Sequence, residues 1–180
     1  MKEFTYNLKI PKERVGVLIG KDGEIKKKIE DSTDTSLQID SQEGEIVISA
    51  DDGLKLYDAK EVVRAIARGF NPEIALLLLK TDYILEIIDM REFAGKSKPT
   101  LMRLKGRVIG REGKSKREIE TLTETQISIY GKTIAIVGRV EDVPNARKAV
   151  ENLLQGATHA SVFKFLEKMR RQKHMDKFEE

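Results

Sequence analysis

The chain has 180 residues, with 33 Lys plus Arg against 30 Asp plus Glu, a 39% hydrophobic and 35% charged composition, and no cysteine. That length suits one medium or two small domains, and the balance suits a folded chain. The missing cysteine excludes a disulfide framework, a thiolate metal site and a thiol nucleophile. The longest apolar stretch, Ile74 to Leu79, is far below the roughly 18–20 residues that span a bilayer. The opening MKEFTYNLKI alternates polar and apolar without the apolar core of a signal peptide. The expectation is a cytoplasmic protein with no membrane partner.

In chain order, Phe4, Tyr6, Leu8 and Ile10 alternate with polar residues, the period-2 pattern of a half-buried strand. A short helix follows over Lys12 to Ile19, then a G-x-x-G turn, Gly20 to Gly23, opening a second helix that turns Ile29 to the core. Strands at Leu37/Ile39 and Ile46/Ile48 flank a turn at Gly44. A third helix carries Ala59, Val62, Val63, Ile66 and Phe70 as its inner stripe. Asn71-Pro72 reads as the cap and first residue of an apolar connector helix through Lys80, expected to pack between two domains.

Tyr83 to Met90 reads as a strand apolar on both faces, hence covered on both. Pro99 to Ile109 is a helix with Leu101, Leu104 and Val108 on one face, followed by a second G-x-x-G, Gly110 to Gly113. The next helix is expected to take its core contacts from Ile119 and Leu122, because Ser115 stands where the earlier segment has Ile25. Strands at Ile127/Ile129 and Ile134/Ile136 flank a turn at Gly131. Asp142 as N-cap and Pro144 then open a helix with Ala146, Val150, Leu153 and Leu154 inside. After Gly156, a last helix places Val162, Phe165, Leu166 and Met169 on one face, ahead of the basic run KMRRQKH.

These elements form an internal repeat. Residues 16–40 and 106–130 agree at 10 of 25 positions at an offset of 90, including Gly20/Gly110, Gly23/Gly113, Lys26/Lys116, Ile29/Ile119, Glu30/Glu120, Thr33/Thr123, Thr35/Thr125 and Ile39/Ile129. The order β-α-α-β-β-α occurs twice, an α+β architecture. Charge is uneven between the halves: residues 1–80 hold 13 bases and 15 acids, residues 81–180 hold 20 and 15. Lys96 to Arg117 alone contains nine bases and one acid, Glu112. Such a cluster attracts a phosphate backbone.

A lone G-x-x-G is weak, since about one such pair is expected by chance in a chain of this glycine content. Here both follow an Ile, both lie between helices, and both precede an Ile by six residues. A glycine turn opening a helix keeps side chains out of the way of a polynucleotide backbone and presents main-chain N–H groups beside a positive helix end. The candidate nucleic-acid-binding residues are Gly20, Lys21, Asp22, Gly23, Lys26, Lys27 and Ile39 in the first copy. In the second they are Arg107, Gly110, Arg111, Glu112, Gly113, Lys114, Lys116 and Ile129. Asp22 and Glu112 repel phosphate but favour the start of the following helix. Ile19, Leu37, Ile109 and Ile127 are further groove candidates that double as core positions. The richer charge predicts that the second copy binds more tightly.

GREGKS looks like the end of a phosphate-binding P-loop, but the required first glycine is Val108. An enzyme lacks parts: His159 and His174 stand alone on the last helix, and Asp51-Asp52 pair with no base or nucleophile. The expectation is a binding protein, not an enzyme, with no cofactor and no metal.

The segment Leu18-Ile19-Gly20-Lys21-Asp22-Gly23-Glu24-Ile25 resembles the K homology (KH) pattern V-I-G-x-x-G-x-x-I, with one spacer fewer. The tandem arrangement, ARGFNPEIALLLL, GKSKREIE and LLQGATHASVFKFL together resemble archaeal members of the ribosome-assembly family known as partner of Nob one. The resemblance implies two tandem type I KH domains, over 1–80 with the connector and 81–180 with the last helix. It also implies binding of single-stranded small-subunit rRNA near its 3′ end, beside a PIN-domain endonuclease on the pre-ribosomal particle, with no DNA expected. Another KH protein, such as an RNA-degradation subunit or a messenger-RNA regulator, is the rival, and a scaffold that has lost RNA binding is a third reading.

Overall fold

The computed structural model describes residues 3–179. It divides into two compact units, Met1–Leu85 and Glu86–Glu180. The first unit runs β1 (Phe4–Lys9), α1 (Lys12–Ile19), α2 (Glu24–Thr33), β2 (Ser36–Asp40), β3 (Glu45–Ala50), α3 (Gly53–Ala67) and α4 (Pro72–Ala75), which ends in a 3-10 turn at Leu76–Leu79. β4 (Tyr83–Asp89) and a single-turn α5 (Arg91–Ala94) follow, then α6 (Lys98–Ile109), α7 (Lys114–Thr123), β5 (Gln126–Tyr130), β6 (Thr133–Arg139), α8 (Val143–Leu154) and α9 (His159–Glu179). Among the described residues no helix is long and apolar enough to cross a membrane.

Each unit holds a three-stranded sheet, in the order β1-β3-β2 or β4-β6-β5. The antiparallel pairs β2/β3 and β5/β6 place Leu37 opposite Ile48, Ile39 opposite Ile46, Ile127 opposite Ile136 and Ile129 opposite Ile134. Alternation turns one face of each strand to the helices, so Leu37, Ile46, Ile48, Ile127, Ile134 and Ile136 are buried against Leu18, Ile29, Ile66 or their second-unit counterparts Val108, Ile119 and Leu153. The apolar stripe of α3 and that of α8 are buried throughout.

Two of the four edge strands, β1 and β4, depart from their sequence patterns. Phe4 and Tyr6 of β1 stay 44% and 38% exposed, and only Ile10, just past the strand, is fully buried. What α3 sets over this edge is a charged side chain rather than apolar cover: the Lys60 ammonium lies 5.0 Å from the Tyr6 ring centre and 5.4 Å from that of Tyr57. β4, expected to be covered on both faces, is half-buried along its length with Ile88 alone buried, since an edge strand has a neighbour on one side only. The connector α4 buries Ala75 and Leu78, packing on α3 of its own unit.

Four of the repeat identities make the same polar joint in each unit. Glu30 accepts a hydrogen bond from Leu37 N at 2.9 Å and Glu120 from Ile127 N at 3.0 Å, tying the second helix to the strand after it. Thr33 Oγ1 donates to Ile29 O at 2.6 Å and lies 2.7 Å from Thr35 Oγ1; Thr123 and Thr125 repeat the arrangement. Between these threonines the chain reverses through Asp34 and Glu124, both left-handed. Buried hydroxyls satisfied this way hold the helix end against the sheet at little cost.

Candidate nucleic-acid interface

The two glycine loops have the same backbone. Gly20 and Gly110 sit at φ/ψ 74/177 and 75/175, a region in effect reserved for glycine; Gly23 and Gly113 sit at 76/14 and 76/12. Between them Asp22 and Glu112 are left-handed at φ 54, a conformation aspartate tolerates better than most residues. The four glycines do two different jobs. A Cβ on Gly20 would lie 2.4 Å from Ile25 Cγ1, and one on Gly110 would lie 2.7 Å from Ser115 N, so the first glycine lets helix and turn close on each other. A Cβ on Gly23 would meet nothing within 4 Å, and one on Gly113 only the tip of the Arg117 side chain at 3.0 Å. The second glycine therefore borders open space, and α2 and α7 start there without any side-chain cap. The N–H of Glu24 and that of Lys114 already bond to Lys21 O and Arg111 O within the turn, so what each open end offers an approaching anion is the positive end of a helix rather than a row of free N–H groups.

Around the loops, Lys21, Lys27, Arg111 and Lys114 are exposed or half-exposed. Lys26 is half-buried, and Lys116 is both half-buried and paired with Glu120 at 3.1 Å, so its charge is partly spent inside the unit. At the first residue of the helix the copies carry opposite charge, Glu24 against Lys114. Arg117 donates to Glu112 O at 2.7 Å and steadies the second loop from outside.

The apolar candidates separate into two groups. Leu37 and Ile127 are 1% and 3% exposed and belong to the core. Ile19 and Ile39, and likewise Ile109 and Ile129, keep part of their surface open beside the loop and the edge strand. A groove with an apolar floor and cationic, glycine-opened rim suits unstacked bases with their phosphates on the rim. Ile119 is fully buried as expected, but Leu122 is only half-buried.

Three expected roles change. Arg107 donates from Nε to Leu153 O at 2.9 Å and from its second nitrogen to Ala157 O, so its guanidinium is committed to the end of α8. Arg14 makes the matching pair of bonds, to Ile66 O at 2.8 Å and Phe70 O at 2.7 Å. Arg14 aligns with Leu104, one turn away from Arg107, so two different positions on one helix face reach equivalent carbonyls and the repeat alignment hides their likeness. Second, Asp142 stands at the N-cap position but makes no capping bond. It is 4% exposed, and accepts from Lys173 Nζ at 2.6 Å instead. Third, His159, which stands alone in the sequence, is tied to α6: its Nε2 lies 2.8 Å from Arg107 O. A carbonyl only accepts, so Nε2 carries the proton and satisfies a carbonyl left over at the end of α6.

Lys173 also reaches Glu124 at 2.9 Å. Burial works to lower the Lys173 pKa, but hydrogen bonds and charge from Asp142 and Glu124 outweigh it and raise the value. The hydrogen bond from Lys173 holds the Glu124 carboxyl below its ordinary value.

Residues 5–65 match the KH domain family, and residues 84–171 match the family for the second KH domain of PNO1, described as a eukaryotic-type KH domain (KH-domain type I). A KH domain-containing protein of Methanocaldococcus jannaschii is 51% identical over 175 residues, covering 96% of this chain and 77% of that protein. Dim2p of Pyrococcus horikoshii superposes with TM-score 0.86 at 40% identity, over 92% of this chain and 99% of that one. The chain belongs to the PNO1/Dim2 family of tandem KH proteins.

Within this PNO1-type chain each matched KH segment contains one of the glycine loops. The likeness to eukaryotic PNO1 is narrower: the pre-rRNA-processing protein PNO1 of Chaetomium thermophilum is 36% identical over 107 residues, 57% of this chain and 40% of that protein. The chain thus matches less than half the length of that relative. A second Pyrococcus horikoshii structure, the a/eIF2alpha-aDim2p-rRNA complex, matches with TM-score 0.87 at 40% identity, over 94% of this chain and 95% of that chain.

Proposed function

We propose that the protein binds single-stranded RNA through its two glycine loops, the second more tightly, and acts in the cytoplasm in assembly of the small ribosomal subunit. Its ligand there is small-subunit rRNA near the 3′ end, held for a PIN-domain endonuclease on the pre-ribosomal particle. The role is that of a binding protein rather than a catalyst. The observation carrying this reading is the open space beside Gly113, where a Cβ would meet only the Arg117 tip, next to Arg111 and Lys114. Family membership, pre-rRNA processing in the name of the fungal relative, and the rRNA in the Pyrococcus complex support the choice of ligand.

The experiment is a titration of single-stranded RNA at several salt concentrations. Affinity is expected to fall with salt, with a log–log slope of roughly −0.7 per phosphate contacted. Gly113→Asp is expected to weaken binding more than Gly23→Asp. Absence of salt-dependent binding, or equal losses, would overturn the reading. Sequencing the RNA that co-purifies separates ribosome assembly, which predicts small-subunit rRNA, from messenger-RNA regulation, which predicts a mixed population.

A further inference from the structure

A cavity of about 500 Å³ opens in the second unit, walled by Arg103 from α6, Arg111 from the loop, Lys114 and Ser115 from α7, and His159 and Phe163 from α9. It adjoins the Ile109–Ile129 groove across the second glycine loop, sharing Arg111 and Lys114 with its rim while Arg103, Ser115, His159 and Phe163 are its own. Arg103 and Arg107 lie four residues apart on α6 and share a stripe, and Ile109, two residues beyond Arg107, stands about 160° round the helix from it. Three properties coincide there. The cations Arg103, Arg111 and Lys114 meet no carboxylate among the lining residues. Phe163 is half-buried and packs at 6.1 Å from the His159 ring, whose orientation is set by its bond to Arg107 O. Ser115, 2% exposed, has a buried hydroxyl without a hydrogen-bond partner among the described residues.

The orphan hydroxyl makes this more than a basic hollow. An unpaired buried hydroxyl is destabilising, and alanine at 115 would avoid it. In the first copy Ile25 occupies the position, with no hydroxyl to satisfy.

We propose that this cavity is a nucleotide subsite. An unpaired base stacks on Phe163, its phosphodiester lies among Arg103, Arg111 and Lys114, and a polar edge of the base or ribose meets Ser115 Oγ. The inference rests on the RNA-binding reading and extends it: the strand continues past the second glycine loop onto α9, whereas in the first copy Ile25 replaces Ser115 and the helix after α3 is a single turn. Stacking on an aromatic ring tolerates any base, so the subsite adds affinity and length dependence rather than sequence preference.

Random-sequence RNA oligomers of four and eight nucleotides, titrated at low ionic strength against the full chain, test this. A tetranucleotide fills the groove alone; an octanucleotide reaches both surfaces. Phe163→Leu, which keeps an apolar side chain but removes the ring face, and Arg103→Glu are each expected to weaken octanucleotide binding at least about fivefold. Tetranucleotide binding should stay within about twofold. Ser115→Ala is expected to raise the unfolding midpoint while weakening the octanucleotide alone. Equal effects on both lengths, or none on either, overturn the subsite and leave the groove standing. A wild-type chain that binds neither oligomer overturns the RNA-binding reading itself.

Discussion

Replacing Gly110 by alanine is expected to cost several times more folding free energy than replacing Gly113, although the two look alike in the motif. At Gly110 the backbone lies at φ 75, ψ 175, and an added Cβ would stand 2.6 Å from Ser115 Cβ and 2.7 Å from Ser115 N. The conformation alone costs a non-glycine residue about 1–3 kcal/mol, and the backbone nitrogen cannot move aside, so overpacking adds about 1–3 kcal/mol more. At Gly113 the backbone is plain left-handed, and the one near atom is the mobile Arg117 tip at 3.0 Å. The cost there is about 1–2 kcal/mol. Urea unfolding of the two variants, with the same pair at Gly20 and Gly23 as controls, should separate by about 2 kcal/mol or more, roughly a thirtyfold change in the folded-to-unfolded ratio. Equal midpoints would refute the division of labour. It also decides which variant reports on RNA: loss of binding in a Gly110 variant mixes misfolding with function, whereas Gly113→Asp keeps the loop and alters what it faces.

Arg107→Met and Arg14→Met keep the apolar stem but remove the side-chain donor from two carbonyls each, of which Leu153 O and Ile66 O retain main-chain N–H partners; each is expected to destabilise by about 1–2 kcal/mol in denaturant melts, and a neutral result would show that water serves the remaining carbonyls as well. Lys114→Glu should weaken RNA binding and shrink the salt slope by roughly 0.7, while Glu24→Lys strengthens it; anisotropy titrations against KCl that show unchanged slopes would argue against phosphate contact at this helix start. Glu124 is held below its ordinary carboxylate value by Lys173, so its stabilisation is full above that ordinary value and fades as pH drops through the depressed one. Glu124→Gln should therefore give a shallower loss of thermal stability on the acid side. The effect is small because the carboxylate is 62% exposed, and an unaltered acid limb would refute the coupling.

The element order, the repeat, and both turns were legible in the chain because they rest on local rules: alternation for Ile46 and Ile48, a helical stripe from Ala59 to Ile66, and glycine where a loop must close tightly. Long-range partners were not legible. Edge position left Phe4 and Tyr6 exposed despite their alternation, and Asp142 turned from a capping role to Lys173, 31 residues on. Arg107 counts as one more base in a basic run until the fold shows it bonded to the end of α8. Gly110 and Gly113 read the same in sequence, since both supply a positive φ, and only the neighbours differ. From the amino-acid order come periodicity, duplication and charge, each a property of residues close along the chain. Which arginine is committed to a helix end and which aspartate turns from capping to a lysine depend on groups tens of residues apart meeting in space, and packing alone brings those together.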